Sequence, residues 1–310
     1  MVKKIFLLYI LTPAVALAQT SAMTGALLDA GTPNRCAPIY KSAWLPQSNS
    51  LIASYNFDGS PGTITNGATI KSITGSYDAT AANPSSTLSY TNHAATPSPL
   101  ANLRQHLTTT GNDGDIISVS GLPAQSAGTW SFWINMAIPV TNHQRIFYRS
   151  DNNGNQGYFF LIRTEGILEF HKVYSGGNQK IQTCPVKSSY FFGSWHQVVV
   201  TWAGGTAETN LKIFVDGTEL VYTGVADPRI DATHDCDNWS LYNGRASAFA
   251  GSGSLASEAA QSFYLSGLPA STSTNPSSKG IIGKLDEFAI WNVALSPAEV
   301  LSLYRQQKCN

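Results

Sequence analysis

The sequence predicts an all-β protein of antiparallel sheet, and three observations carry that prediction. Apolar residues alternate through residues 211–215, Asp216-Gly217 supplies a two-residue turn, and residues 218–222 return with the same alternation. Alternation around Asp-Gly is the strongest short-range hairpin signal, because both turn residues must adopt positive φ. With that turn Val215 faces Thr218, Ile213 faces Leu220 and Leu211 faces Tyr222, so Leu211, Ile213, Leu220 and Tyr222 share a buried face. Second, Tyr, Trp and Phe make up 11% of the chain beside abundant Gly, Ser, Thr and Asn, which suits half-buried strands joined by polar turns. Third, Trp130, Phe132 and Ile134 alternate in the same way further upstream.

Taken in order, the chain opens with Lys3-Lys4, an apolar run over residues 5–11 and a small-residue site at Ala16-Leu17-Ala18. This reads as a bacterial-type signal peptide over residues 1–18. The apolar run is far short of the roughly 20 residues a membrane span needs. No cysteine follows the cleavage site, so the mature chain is expected to be soluble and secreted, periplasmic or at the cell surface. Residues 19–50 lack periodicity and read as an extended leader; the sandwich is expected to begin at Leu51 and run to residue 310.

Residues 60–100 mix short β-prone runs with Thr, Ser, Asn and Pro, suggesting rim loops. A strand is expected over residues 116–119, after the turn Asn112-Asp113-Gly114-Asp115, and another over 130–134. Residues 145–148 and 158–163 flank the polar turn 151–157 and should form a hairpin, followed by strands over 166–172 and 179–185. Residues 246–279 turn to Ser, Ala, Gly and Thr and read as an insertion before the last strand, 284–291, with a short helix near 255–261. Ser296-Pro297-Ala298-Glu299 carries an N-cap serine, proline at the first helical position and a capping-box glutamate. That helix should reach about Arg305 and bury Val300, Leu301 and Tyr304.

Formal net charge is zero and 12% of residues are charged, with no basic stripe or acidic tail, so nucleic acid is not an expected partner. Cys36, Cys184, Cys236 and Cys309 form an even set in an exported chain and imply two disulfides, with three connectivities open. No close Cys/His spacing supports zinc.

Four segments carry a family resemblance. Trp195-His196 opens a hydrophobic strand, and a strand bearing Lys212 closes on Val215-Asp216-Gly217. LIASYNFDGS (51–60), TWSFWINM (129–136) and GKLDEFAIWNVALSPAEVLSLYRQ (283–306) follow the same pattern in order. Together they resemble laminin-G-like domains of the concanavalin A-like lectin/glucanase superfamily. The resemblance implies a two-sheet antiparallel jelly-roll sandwich with a short C-terminal helix. Chain ends that meet in such folds imply Cys36 paired with Cys309, leaving Cys184 with Cys236. A calcium ion near the first and last strands is implied too, with Asp58 and Asp286 as ligands and backbone carbonyls completing an oxygen shell. The fold alone does not give a function.

Strict alternation in residues 284–291 places Asp286 on the face of Phe288 and Ile290. A carboxylate there needs a cation or several donors, and backbone N–H groups are the alternative to calcium, with Asp58 then shaping a turn. Asp151, Asn153 and Asn155 mimic a calcium loop, but Ile162 stands where an EF-hand needs glutamate, so a hairpin tip is expected. Trp239 and Tyr242 are candidate sugar platforms, with a core strand as the competing reading. Asn238-Trp239-Ser240 is a formal glycosylation sequon. His196 reads as a satisfied sheet residue; His93, His106, His143, His171 and His234 lack metal spacing.

Catalysis is not expected. Glucanases of the superfamily place alternating carboxylates on one strand to flank a glycosidic bond. Asp286-Glu287 are adjacent, and in a regular strand they point to opposite faces. The expectation is therefore an exported, non-catalytic recognition module for a glycan or cell-surface protein, calcium-assisted. A structural subunit of a bacterial surface, pilus or adhesion assembly is the alternative, and a divergent glycanase or polysaccharide lyase the second.

Overall fold

Asp216 and Gly217 adopt φ of 53° and 76°, as a two-residue hairpin turn requires. Val215 pairs with Thr218, and the Leu220 amide donates to the Ile213 carbonyl at 2.9 Å. Leu211, Ile213 and Leu220 are buried and Tyr222 is partly buried against them, on the face the alternation gives.

In the computed structural model the described residues are 45–93, 105–112, 114–137, 143–150, 157–222, 227–231, 248–249, 261–267 and 278–308. All belong to one unit, Cys36–Cys309. They form two sheets. The first runs, edge to edge, Thr218–Glu219, Leu211–Val215, His196–Trp202, Gly128–Met136, Ile282–Trp291, Gln105–Thr110, Ser89–Asn92, Gly62–Thr63, with Leu51–Tyr55 also on Ile282–Trp291. The second runs Ala248–Phe249, Gly177–Gln182, Leu168–Tyr174, Gly157–Ile162, His143–Ser150, Phe263–Leu265, Ile116–Val119, Ala79–Ala82, Thr69–Ile70. Among the described strand pairings all are antiparallel except Ser278–Lys279, which lies parallel to His143–Ser150, and an isolated bridge between Met136 and Phe192 is also parallel.

Inward-facing residues of both sheets share one apolar core. Its centre is aromatic: the Trp130 ring meets Phe147 edge-on at 4.2 Å and Trp202 at 5.1 Å. Edge-to-face contacts of this kind add to the area term because ring edges and faces carry opposite partial charge.

Strands appear where rim loops are expected: Ala79–Ala82 joins the second sheet and Ser89–Asn92 the first. The 246–279 insertion likewise gives Phe263–Leu265 to the second sheet, between Ile116–Val119 and His143–Ser150. Its expected helix at 255–261 lies almost entirely outside the described residues, as do the signal peptide, most of the leader, and the 151–156 turn.

The C-terminal helix, Pro297–Gln307, has the expected capping box, with the Ser296 side chain accepting from the Glu299 amide. Its buried residues are Val300, Leu303 and Gln307, whereas Leu301 and Tyr304 are only half-buried. The reason is its seat. Val300 and Leu303 pack on Val199, Phe214, Ala289 and Trp291, on the first sheet's outer face, while Leu301 and Tyr304 close over Gly217.

Asp286 does not share the face of Phe288 and Ile290. The register against Gly128–Met136 shifts between Asp286 and Ala289, and Glu287 takes φ of 49°. This bulge inserts one residue and reverses the alternation, so Leu285 and Phe288 both face the core. Asp286, opposite Trp133, faces outward.

Candidate functional site

Four adjacent strands of the second sheet, His143–Ser150, Gly157–Ile162, Leu168–Tyr174 and Gly177–Gln182, carry an aromatic and charged outer face on which Tyr148, Leu161, Glu169, His171 and Gln182 are buried and Arg145, Phe159 and Lys180 are partly exposed. Their core-facing residues include Phe147, Phe160, Phe170 and Ile181. The residues between them line up across the outer face in two rows. Tyr148 pairs with Phe159, Phe159 with His171 and His171 with Lys180. In the parallel row Arg145 pairs with Leu161, Leu161 with Glu169 and Glu169 with Gln182.

Arg145 reaches this face through a second bulge. The pairing skips from Phe147 to Arg145 between Phe160 and Leu161, so Ile146 and Phe147 both enter the core. Without the extra residue Arg145 would share the core face of Phe147. Bulges are the usual device for re-aiming one side chain out of a sheet.

The first row is a continuous aromatic strip. Tyr148 and Phe159 stack at 6.5 Å between ring centroids, and Phe159 and His171 at 4.1 Å with 20° between planes. The Arg145 guanidinium lies 5.0 Å from the Phe159 centroid and 5.5 Å from that of Tyr148, within cation–π range of both. Tyr264, opposite Tyr148, extends the strip.

Glu169 anchors the second row. Arg163 donates Nε to it at 2.5 Å, and His171 and the Gln182 side-chain amide also bind it. Burial opposes its ionisation, but the His171 and Arg163 contacts outweigh burial and hold its carboxyl well below the usual range. Burial pushes the His171 imidazole down, against the pull of Glu169. Two polar atoms on this face are buried with no hydrogen-bond partner, Arg145 Nε and His171 Nδ1.

The residues singled out from sequence fall elsewhere. Asp58 accepts from the Gln105 amide at 3.0 Å and from the Asn56 side chain at 2.9 Å. Asp286 is fully buried; it accepts from the Glu287 amide at 2.8 Å and faces His93 Nε2 at 2.9 Å. Burial, with the nearby Asp58 charge adding, pushes the Asp286 carboxyl well up despite the Glu287 amide bond. Calcium prefers a shell of oxygens from ionised carboxylates, carbonyls and water. In this arrangement the Asp286 carboxyl is engaged by the Glu287 amide and the His93 imidazole. Among the described residues no three His, Cys, Asp or Glu side chains are placed to hold a metal.

His93 instead belongs to an aromatic cluster with His106, at 4.6 Å, and Trp195, at 5.3 Å. His196 is satisfied, by Asp216 at 2.8 Å and the Tyr190 carbonyl at 2.7 Å. Beside it a concavity of about 470 Å³ is lined by Tyr190, Asp216 and Arg229. Its Arg229 is already engaged by Asp227 and three backbone carbonyls. Trp239 and Tyr242 lie outside the described residues. Cys184 is disulfide-bonded, and Cys36, Cys236 and Cys309, one of them its partner, also lie outside them.

Sequence reasoning missed Arg145, Tyr148, Phe159, Glu169, His171 and Gln182 as a group. A signal existed in Glu169 and His171 two apart on one strand and Lys180 and Gln182 two apart on the next. Register, not spacing, is what joins them.

Two packed sheets, one with an aromatic and charged outer face, define a lectin-like jelly-roll sandwich. The chain belongs to the concanavalin A-like lectin/glucanases superfamily, whose family model matches residues 108–301. Among curated proteins none matches it. Similar solved structures include one from a study of botulinum neurotoxin type C, titled for cell entry dependent on two ganglioside molecules. It is 14% identical, with TM-score 0.53, covering 84% of this chain and 52% of that one. Another is the binding domain of botulinum neurotoxin DC in complex with rat synaptotagmin II, at 12% identity and TM-score 0.51, covering 84% and 52%. The chain thus spans about half the length of these structures, and at such identities the likeness shows the shared fold alone.

Proposed function

We propose that this chain is an exported recognition module that binds a glycan through the outer face of the second sheet. The observation that carries the reading is Arg145, without a hydrogen-bond acceptor at its Nε, lying over Phe159 and Tyr148, with Arg145 and Phe159 the partly exposed members of the face. Sugars present apolar C–H faces beside hydroxyl groups, and a flat aromatic strip flanked by amide and charged side chains complements both. Arg145 Nε and His171 Nδ1 retain hydrogen-bonding capacity that the protein itself does not use. A toxin binding domain of similar fold was solved in complex with rat synaptotagmin II, which is compatible with a surface partner. The disulfide at Cys184 fits an oxidising compartment.

Binding is favoured over hydrolysis on chemical grounds. The four strands contain a single carboxylate, Glu169, and its depressed pKa suits a fixed acceptor rather than a general acid. Hydrolysis by the common two-carboxylate route needs a second acid across the sugar.

Calorimetric titration against a panel of neutral and acidic oligosaccharides tests the proposal. Binding to at least one is expected, weakened roughly ten-fold or more by Phe159→Ala. No binding across the panel, or binding untouched by Phe159→Ala, would overturn it. Release of reducing ends or of unsaturated uronate ends would overturn its non-catalytic part.

A further inference from the structure

We propose that the ligand of this face is an acidic glycan, and that Arg145 takes a sugar carboxylate of uronate or sialate type. This rests on the reading of the second sheet as a glycan-binding surface and names the chemical class of its ligand.

The argument starts from a cation that the protein leaves incomplete. Among the described residues Arg145 finds no hydrogen-bond acceptor, and its Nε is buried without one. A guanidinium carries five N–H donors in a rigid fork matched to carboxylate geometry. Taking such a charge out of water without a partner is costly, and stacking on Phe159 and Tyr148 offsets only part of that cost. Glu169, the carboxylate nearest in the same row, does not serve Arg145. Its oxygens already accept from Arg163, His171 and Gln182.

The surroundings match an anion. Arg145, Arg163 and Lys180 stand against Glu165 and Glu169 on or beside these four strands, an excess of one cation. His171, stacked on Phe159, likewise has a buried Nδ1 with no hydrogen-bond partner. The two rings beneath Arg145 hold its plane in place before the ligand arrives. Preorganisation of this kind reduces the ordering cost of binding. A bidentate guanidinium–carboxylate pair over an aromatic strip therefore selects a sugar that has both a carboxylate and an apolar face.

The test compares a uronate polysaccharide with the same polysaccharide after carboxyl reduction, and with a sulfated neutral one. Wild-type protein is expected to bind the uronate form at least ten-fold more tightly than the reduced form, with affinity falling as salt is raised. Arg145→Gln should lose roughly ten- to hundred-fold on the uronate form and little on the reduced one, with Arg145→Lys intermediate. Sialylated and desialylated oligosaccharides form a second arm that separates the two carboxylate sources. Equal binding to native and reduced chains would overturn the acidic class while leaving the glycan reading intact. Preference for the sulfated chain over both carboxylated ligands would also overturn it. Binding to none of these would sink the glycan reading itself. The native-versus-reduced comparison needs no variant, so a folding defect in either substitution does not blunt the test.

Discussion

His106 shows how one buried side chain couples the fold to pH. It stands on Gln105–Thr110 facing away from the core residue Leu107, and neither ring nitrogen has a hydrogen-bond partner. Burial, then the His93 and Lys284 charges, push its pKa down to about 3. In the unfolded chain histidine titrates near pH 6.5. As pH falls below that value the unfolded state gains a proton that the folded state refuses, so stability is full above about pH 6.5 and declines toward pH 3. Urea unfolding at pH 7 and pH 5 checks this. Wild type should lose more stability across the interval than His106→Gln, by about 2 kcal/mol. An identical loss in the two proteins would mean that His106 is not the titrating group. Glu169 acts in a lower window: its folded pKa is depressed, so its contribution holds above the unfolded value near 4.3 and fades as pH falls beyond it.

At the scale of elements, the hairpin and the C-terminal helix are tuned to one another. Gly217 serves the turn through a φ of +76°, and a Cβ built on it would stand 2.9 Å from Tyr304 Cβ and 3.1 Å from Leu301 Cδ1. Backbone conformation and helix packing therefore impose the same residue. Gly217→Ala should destabilise by about 1–3 kcal/mol, from the left-handed backbone and the forced shift of the helix together. Denaturant midpoints measure it, and a variant as stable as wild type would show that the helix does not rest on the turn. The turn was legible in Asp216-Gly217. The helix was legible in its capping box, but which of its faces is buried was not. Val300 and Leu303 follow the apolar spacing, whereas Leu301 and Tyr304 are set by how the helix lies over Gly217.

At the scale of the whole molecule, the open question of connectivity has one geometric constraint. Cys184 sits fully buried just beyond Gly177–Gln182, at the edge of the proposed binding strands. Pairing with Cys236 would tie that edge to the segment bearing Trp239 and Tyr242. Peptide mapping under non-reducing conditions should find Cys184 joined to Cys236 and Cys36 to Cys309. A Cys184 peptide linked to Cys36 or Cys309 would reject that arrangement. Reduction should cost about 2–4 kcal/mol per bridge if the loops behave as ordinary closed chains.

The sequence by itself determined the sheet type, the Asp216-Gly217 hairpin, the Ile116–Val119 strand, the helix cap and the superfamily, because each depends on a pattern spanning a few residues. Only the tertiary structure decided which polar side chains meet. Two bulges, at Ile146 and Glu287, each add one residue to a strand and turn Arg145 and Asp286 outward, where strict alternation had assigned Asp286 inward. A period of two flips every side chain when the register slips by one, and a bulge is fixed by cross-strand partners that local sequence does not name. For the same reason His93, His106 and His171, scattered along the chain, acquired their different surroundings only when distant strands paired.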